Sequence, residues 1–168
     1  MKKSLVSVKV VLVKYPSMVK DCLYGKCLVS TKDLPIGTII QKYKGKIVTR
    51  DKIPDDQITY ALLFDASNWV IVETPARYAN HSCDPNCDIN DDLEIVTIKP
   101  VRAGEELTIS YNVISEESYD YTKWDYFWDT RWTFKCQCGS ANCQGIIDKY
   151  VKLNGDPLCE NLITRFVY

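Results

Sequence analysis

The stretch Arg77-Tyr78-Ala79-Asn80-His81-Ser82-Cys83-Asp84-Pro85-Asn86-Cys87 decides how this chain is read. It holds the only histidine, two of the eight cysteines and a Pro-Asn turn. Its apolar residues follow neither a strand nor a helix period, so it predicts an irregular, ordered segment. Polar side chains packed into such a segment need partners, and functional residues concentrate there. Two later stretches are its counterparts: Gly104-Glu105-Glu106-Leu107-Thr108-Ile109-Ser110-Tyr111-Asn112, and Cys136-Gln137-Cys138-Gly139-Ser140-Ala141-Asn142-Cys143.

Working outward, most of the chain reads as short strands parted by turns. Residues 4–13 are rich in β-branched valine and predict a strand that Tyr15-Pro16-Ser17 breaks. Gly25 predicts a turn followed by a strand to Ser30, and residues 38–43 and 46–49 are further β-rich runs. Residues 50–57, charged and proline-containing, predict a surface loop or short helix. Residues 60–64 and 69–72 predict a hairpin, and residues 93–98 and 106–111 two more strands. The expectation is a mainly β domain. Residues 115–134 differ. Acidic residues between Glu116 and Asp129 alternate with aromatics such as Trp124, which fits either a solvated charged face or a receptor for a basic peptide. A short helix is expected near residues 157–162.

With 168 residues, one domain with a real core is the default. A net charge of −1 gives no basis for bulk electrostatic binding to nucleic acid. No run is long and apolar enough to span a membrane, and Lys9 and Lys14 interrupt the apolar start, so no secretory signal is expected. The protein is therefore expected to be intracellular, in cytoplasm or nucleus. In that setting clustered cysteines point to metal rather than disulfides, and the sequon at Asn80-His81-Ser82 carries no meaning.

Cys136, Cys138 and Cys143 have the spacing C-x-C-x4-C, with Gly139 allowing a tight turn. Three thiolates on one loop suit zinc, which in structural sites takes four ligands. The fourth candidates are Cys83, Cys87, His81, Cys159, Cys22 and Cys27. Cys83 and Cys87 stand first, because a shared ion would pin the two irregular segments together. The bland reading is three free or buried thiols; iron–sulfur is a rival on ligand type alone.

Residues 77–87 resemble the R-F-x-N-H-S-C-x-P-N-C signature of SET-domain protein lysine methyltransferases. Gly104 to Tyr111 resembles their G-E-E-L-T-x-x-Y, and Cys136 to Gly145 their post-SET motif C-x-C-G-x3-C-x-G. Upstream, Gly25 to Ser30 and Leu34 to Gly37 sit where the family has G-x-G-x-x-A and I-x-x-G. The resemblance covers about residues 20–148. It implies an N-terminal strand (residues 1–19), a SET domain (20–114), an aromatic and acidic connector (115–133), a zinc-bound post-SET loop (134–150) and a tail (151–168). The implied fold is a set of small curved sheets with a pseudoknot joining Asn80-His81 to Tyr111.

The resemblance also implies methyl transfer from S-adenosylmethionine (SAM) to the side-chain amine of a protein lysine, in a histone or another protein. Tyr111 is the implied catalytic residue. Gly25, Lys26, Cys27, Asn80, His81 and Tyr111 are implied cofactor contacts. Tyr43, Tyr60, Ile109 and Trp124 are candidates for the lysine channel. Arg77 and Glu106 are an implied buried ion pair. Cys83 becomes the fourth zinc ligand beside Cys136, Cys138 and Cys143, leaving Cys87 as a packing thiol. The partner implied is a protein presenting a lysine, with no direct nucleic-acid or membrane contact.

Five positions depart from the family pattern, one of them Ser110 in place of a common aspartate. Cys27 replaces a glycine and is strained if that position needs positive φ. Lys42 and Lys46 replace usual acids. Ile109 stands where a phenylalanine or tyrosine is common, leaving room and no hydroxyl, which leans towards di- or trimethylation. These departures motivate an alternative, a SET-like binding module with little or no turnover. A third reading is methyl transfer to a side chain other than lysine.

Overall fold

Hydrogen-bonding needs of the β-rich runs are met in several small sheets rather than one large one. The computed structural model describes residues 14–23, 25–63, 68–111 and 130–147. The strand expected at residues 4–13, the helix near 157–162, Trp124 and Cys159 lie outside them.

Strand β1 (Ser17–Cys22) pairs antiparallel with β2 (Gly25–Ser30). Gly25 adopts φ +111°, a conformation that favours glycine, so the hairpin turns tightly there. Strand β1 was not expected, because Pro16 and the mixed residues after it mask the strand period. Its burial explains this: most of it is exposed or half-buried. The next two strands, β3 (Ile39–Lys42) and β4 (Gly45–Thr49), join different sheets. Strand β6 (Asn68–Val72) lies between β4 and β5 (Ala61–Leu63), and its apolar run buries Trp69, Val70 and Val72. A side chain at Gly45 would strike the main chain of Ile71, so close pairing of β4 and β6 requires glycine.

Two short strands frame the central stretch. β7 (Asn80–His81) follows a single 3-10 turn (Pro75–Tyr78), and β8 (Cys87–Ile89) pairs with β9 (Glu94–Thr97), which pairs in turn with β3. Residues 50–57 form the start of two exposed 3-10 turns, as expected.

The strand expected over residues 106–111 is only partly formed. Its regular part is β10 (Thr108–Ile109), which runs parallel to β7. Ahead of it the main chain is claimed by β2: Ser30 donates to Glu105 O at 2.9 Å and Leu107 to Leu28 O at 2.8 Å. Asn86 claims more. Its Nδ2 donates to Glu106 O (2.8 Å) and its Oδ1 accepts from Thr108 N (2.9 Å). The side-chain amide thus acts as one residue of an adjoining strand. Leu28, Ile40, Ile95 and Leu107, all fully buried, form the core beneath. The last pair is β11 (Phe134–Lys135) with β12 (Ile146–Ile147). Among the described residues no helix is long and apolar enough to cross a membrane.

Asn86→Ala strands a donor and an acceptor on the 106–108 main chain. It should lower stability by about 2 kcal/mol in urea unfolding; an unchanged midpoint would mean the amide is not a clamp.

Candidate functional site

Four thiols gather where the central stretch meets the C-terminal hairpin. Cys83, Cys136, Cys138 and Cys143 place their sulfurs within 4.8 Å of one another. Cys83 and Cys136 are 3.7 Å apart. A tetrahedral zinc with bonds of ~2.3 Å would separate its sulfurs by ~3.8 Å, so the donor set fits. The loop is closed by Cys136 N–H to Gly145 O (3.0 Å) and by glycines at φ +72° (Gly139) and +77° (Gly145). Main-chain N–H groups of Cys83 and Gln144 donate to the sulfurs of Cys138 and Cys83, both at 3.4 Å.

Burial pushes the Cys136 thiol up to about 12 and raises Cys83. At Cys138 burial also raises the thiol, but hydrogen bonds from Cys83 N–H and Ser140 outweigh it and bring it down to about 5. A metal needs all four as thiolates and would supply the charge that stabilises them. Of the other expected fourth ligands, Cys87 faces the core, fully buried. Cys22 and Cys27 lie together in a separate group.

His81 touches this cluster without joining it. Its Nε2 is 3.2 Å from Cys83 Sγ, and its Nδ1 accepts the N–H of Tyr111 at 3.0 Å. An Nδ1 that accepts leaves the proton on Nε2, facing the sulfur. Burial lowers the imidazole's pKa, consistent with that neutral form.

Tyr111 stands beside it, with ring centroids 5.4 Å apart. The residue keeps 38% exposure, while its hydroxyl donates to Ala79 O at 2.9 Å. Burial raises the phenol's pKa, and the charge of Glu106 and the neighbouring Tyr60 add to it. Burial likewise raises Tyr43, on which Tyr111 also acts. The two expected channel tyrosines, Tyr43 and Tyr60, thus share one electrostatic neighbourhood with Tyr111. Ile109 is buried beneath at 4% exposure. Trp132, part of the aromatic connector, is a packing residue: it stacks on Trp69 at 4.6 Å and donates to Ile58 O.

The expected ion pair between Arg77 and Glu106 is not formed. Arg77 Nη2 donates to Gln57 Oε1 at 3.0 Å, and its guanidinium lies 3.7 Å over the Tyr60 ring. The 3-10 turn that carries Arg77 directs it there, a cation–π contact taking the place of the carboxylate. Glu106 Oε1 instead accepts from Asn80 Nδ2 at 2.8 Å, and that amide also donates to Lys26 O at 3.2 Å. Asn80 therefore fixes the loop formed by Gly25, Lys26 and Cys27. Cys27 is unstrained: among the described residues Leu93 is the only non-glycine with positive φ. Lys42 also finds a partner, Glu94, at 3.6 Å. The sequence reading missed two fixing residues, Asn86 and Asn80 as a loop clamp; the Pro-Asn turn was the visible signal for the first.

Comparison with known proteins gives a consistent picture. The family model for the SET domain matches residues 25–112. Histone-lysine N-methyltransferase 2D of Homo sapiens is 31% identical over 145 residues, which span 76% of this chain and 2% of that protein. The Histone-lysine N-methyltransferase, H3 lysine-9 specific, of Schizosaccharomyces pombe is 32% identical over 143 residues, 69% of this chain and 29% of that protein. The chain thus spans only a minor part of these relatives. A solved structure of a Plasmodium falciparum protein shares the fold, with TM-score 0.52 and 14% identity, over 61% of this chain and 97% of that one.

Metal analysis of the protein should find an ion at the four-thiol cluster, and Cys83→Ser should release it while Cys87→Ser retains it. Full retention by Cys83→Ser would move the fourth ligand elsewhere.

Proposed function

Because this chain belongs to the SET-domain family, we propose that it is a protein-lysine N-methyltransferase that uses SAM. The observation that carries this reading is the parallel pairing of Asn80–His81 with Thr108–Ile109. It sets Tyr111 next to the segment that the family uses for its cofactor.

The residues present suit SAM chemically. The exposed main chain of Gly25 and Lys26 borders the Asn80 amide and the Glu106 carboxylate. That gives polar and anionic groups for the ammonium of SAM's amino-acid end. When bound, SAM supplies a methyl group activated by a sulfonium. The loop Gly25, Lys26 and Cys27, with Asn80 and His81, would hold it. Both ring nitrogens of His81 are engaged within the protein, so its contact falls to main chain.

The attacking lysine must be neutral. At an ordinary pKa of about 10.4, neutralising it at pH 7 takes about 4.6 kcal/mol. An apolar channel and a nearby positive charge both reduce this. Tyr111 is not the base, since everything around it raises its pKa and keeps the phenol protonated. Its hydroxyl proton is given to Ala79 O, which leaves the oxygen lone pairs free to accept from the lysine amine and orient it. The proton then leaves to water. Zinc in the four-thiol cluster would hold the C-terminal hairpin against this segment. Tyr43, Tyr60 and Ile109 would line the channel; the absence of a hydroxyl at Ile109 favours di- or trimethyl product. The substrate class is a protein lysine, with histones first on the strength of the named relatives.

Two of the three departures behind the binding-module alternative carry less weight, because Cys27 is unstrained and Lys42 is paired, which leaves Lys46.

The test is transfer of labelled methyl from SAM to a panel of histones and cell proteins. Tyr111→Phe should fall about a hundredfold, in the range seen when one positioning hydrogen bond at a reacting centre is lost, while loss of the bond to Ala79 O should lower stability by only about 1 kcal/mol and leave the protein folded. Equal labelling by both proteins would remove Tyr111 from catalysis; no labelling by the wild type across the panel would favour the binding module.

A further inference from the structure

A second group of metal-ligating side chains lies apart from the four thiols. Cys22, Cys27 and Glu106 bring two sulfurs and a carboxylate oxygen within 4.8 Å of one another. The sheet registers explain why. Cross-strand partners share a face, as do residues two apart on one strand. Cys27 is the partner of Lys20, two residues before Cys22. Val29, two residues after Cys27, is bridged to Glu106. All three side chains therefore point to the same side of the hairpin. Cys27 is buried, and Cys22 and Glu106 are half-buried.

Asn80 shows that these acceptors converge. Its Nδ2 lies 2.8 Å from Glu106 Oε1, 3.2 Å from Lys26 O and 3.9 Å from Cys22 Sγ. Among the described residues no cationic side chain pairs with Glu106.

We propose that Cys22, Cys27 and Glu106 form a second site for a thiophilic divalent cation of the Zn2+ class, separate from the four-thiol cluster. Two thiolates and one carboxylate are a donor set that zinc and cobalt accept, with a fourth position left for water. Binding displaces the two thiol protons to solvent, the two thiolates balance the ion's charge, and the carboxylate becomes its third ligand. With fewer thiolates than the first site, this one fills second and empties first. Cys27 and Asn80 also belong to the proposed SAM loop, so an ion here would compete with SAM. That competition rests on the proposed function; the site itself does not.

The experiment uses the full chain carrying one equivalent of Zn2+, under a non-thiol reductant, titrated with Co2+. A second equivalent should bind with thiolate-to-cobalt charge transfer. Cys22→Ser and Glu106→Gln, the latter keeping an oxygen for Asn80, should each weaken it at least tenfold and keep the first ion. Uptake of a single equivalent by the wild type, or second-site binding unchanged in both variants, overturns the site. SAM is then titrated into the protein with one ion and with two. Tenfold weaker binding to the second form supports the competition, and equal binding overturns it. No binding to either form overturns the cofactor reading, and the competition with it, while the cobalt titration still decides the site.

Discussion

The position of Tyr111 depends on a ladder only two residues long. Thr108–Ile109 run parallel to Asn80–His81, and two residues of parallel pairing cannot hold themselves in water. What makes the pairing durable is the Asn86 side chain on the same segment. Its amide gives and takes one hydrogen bond at Glu106 and Thr108, while its own main-chain oxygen accepts from Ile98 N. Only a planar amide offers a donor and an acceptor at the spacing of a peptide group. An aspartate lacks the donor, and an alanine lacks both. Asn86 thus ties together its own segment, Ile98 and the 106–108 main chain.

His81 carries the next link. Its two nitrogens divide their work, one accepting from Tyr111 N and one facing the sulfur of Cys83. The thiol cluster is therefore more than a fastening for the C-terminal hairpin. It is one hydrogen-bonded ring away from the tyrosine's main chain. The hairpin itself, β11 with β12, contributes two residues per strand and little burial. Four sulfur–metal bonds would supply far more binding energy than that pairing, as small metal-held motifs generally require.

The fold class was legible because β-branched runs and turn residues alternate along the chain, and the four-thiol group was legible because the C-x-C-x4-C spacing puts three of its sulfurs on one loop. What escaped had physical reasons. Strand β1 was invisible because an edge strand that is mostly exposed need not alternate. Residues 106–111 looked like one strand by composition, but their hydrogen bonds are spread over β2, Asn86 and β7, which composition does not encode. Cys83 and Cys87 looked equivalent from the residues alone. The start of β8 turns one into the core, four residues after the other has turned out to the hairpin. The Arg77–Glu106 pair failed because a motif fixes which residues are present, not where a long side chain swings. Gln57 and Tyr60 lay nearer to the guanidinium, and neither belongs to the motif.

That failure changes the electrostatics of the site. Had Arg77 reached Glu106, the carboxylate would have been neutralised from within the protein. Instead it is held by a neutral amide, beside two thiols and close enough to raise the Tyr111 phenol. A half-buried carboxylate without a cationic partner is a standing attraction for positive charge. The ammonium and sulfonium of the proposed cofactor, the proposed lysine substrate and the proposed divalent ion are all cations, so all would be drawn to the same region. The phenol gains from the same charge, since a negative neighbour keeps it protonated and able to hold its hydrogen bond to Ala79. Among the described residues Glu106 meets no cationic side chain, and under the proposed methyl transfer to lysine it would meet two requirements: a place for cations to gather and a tyrosine that stays neutral among them.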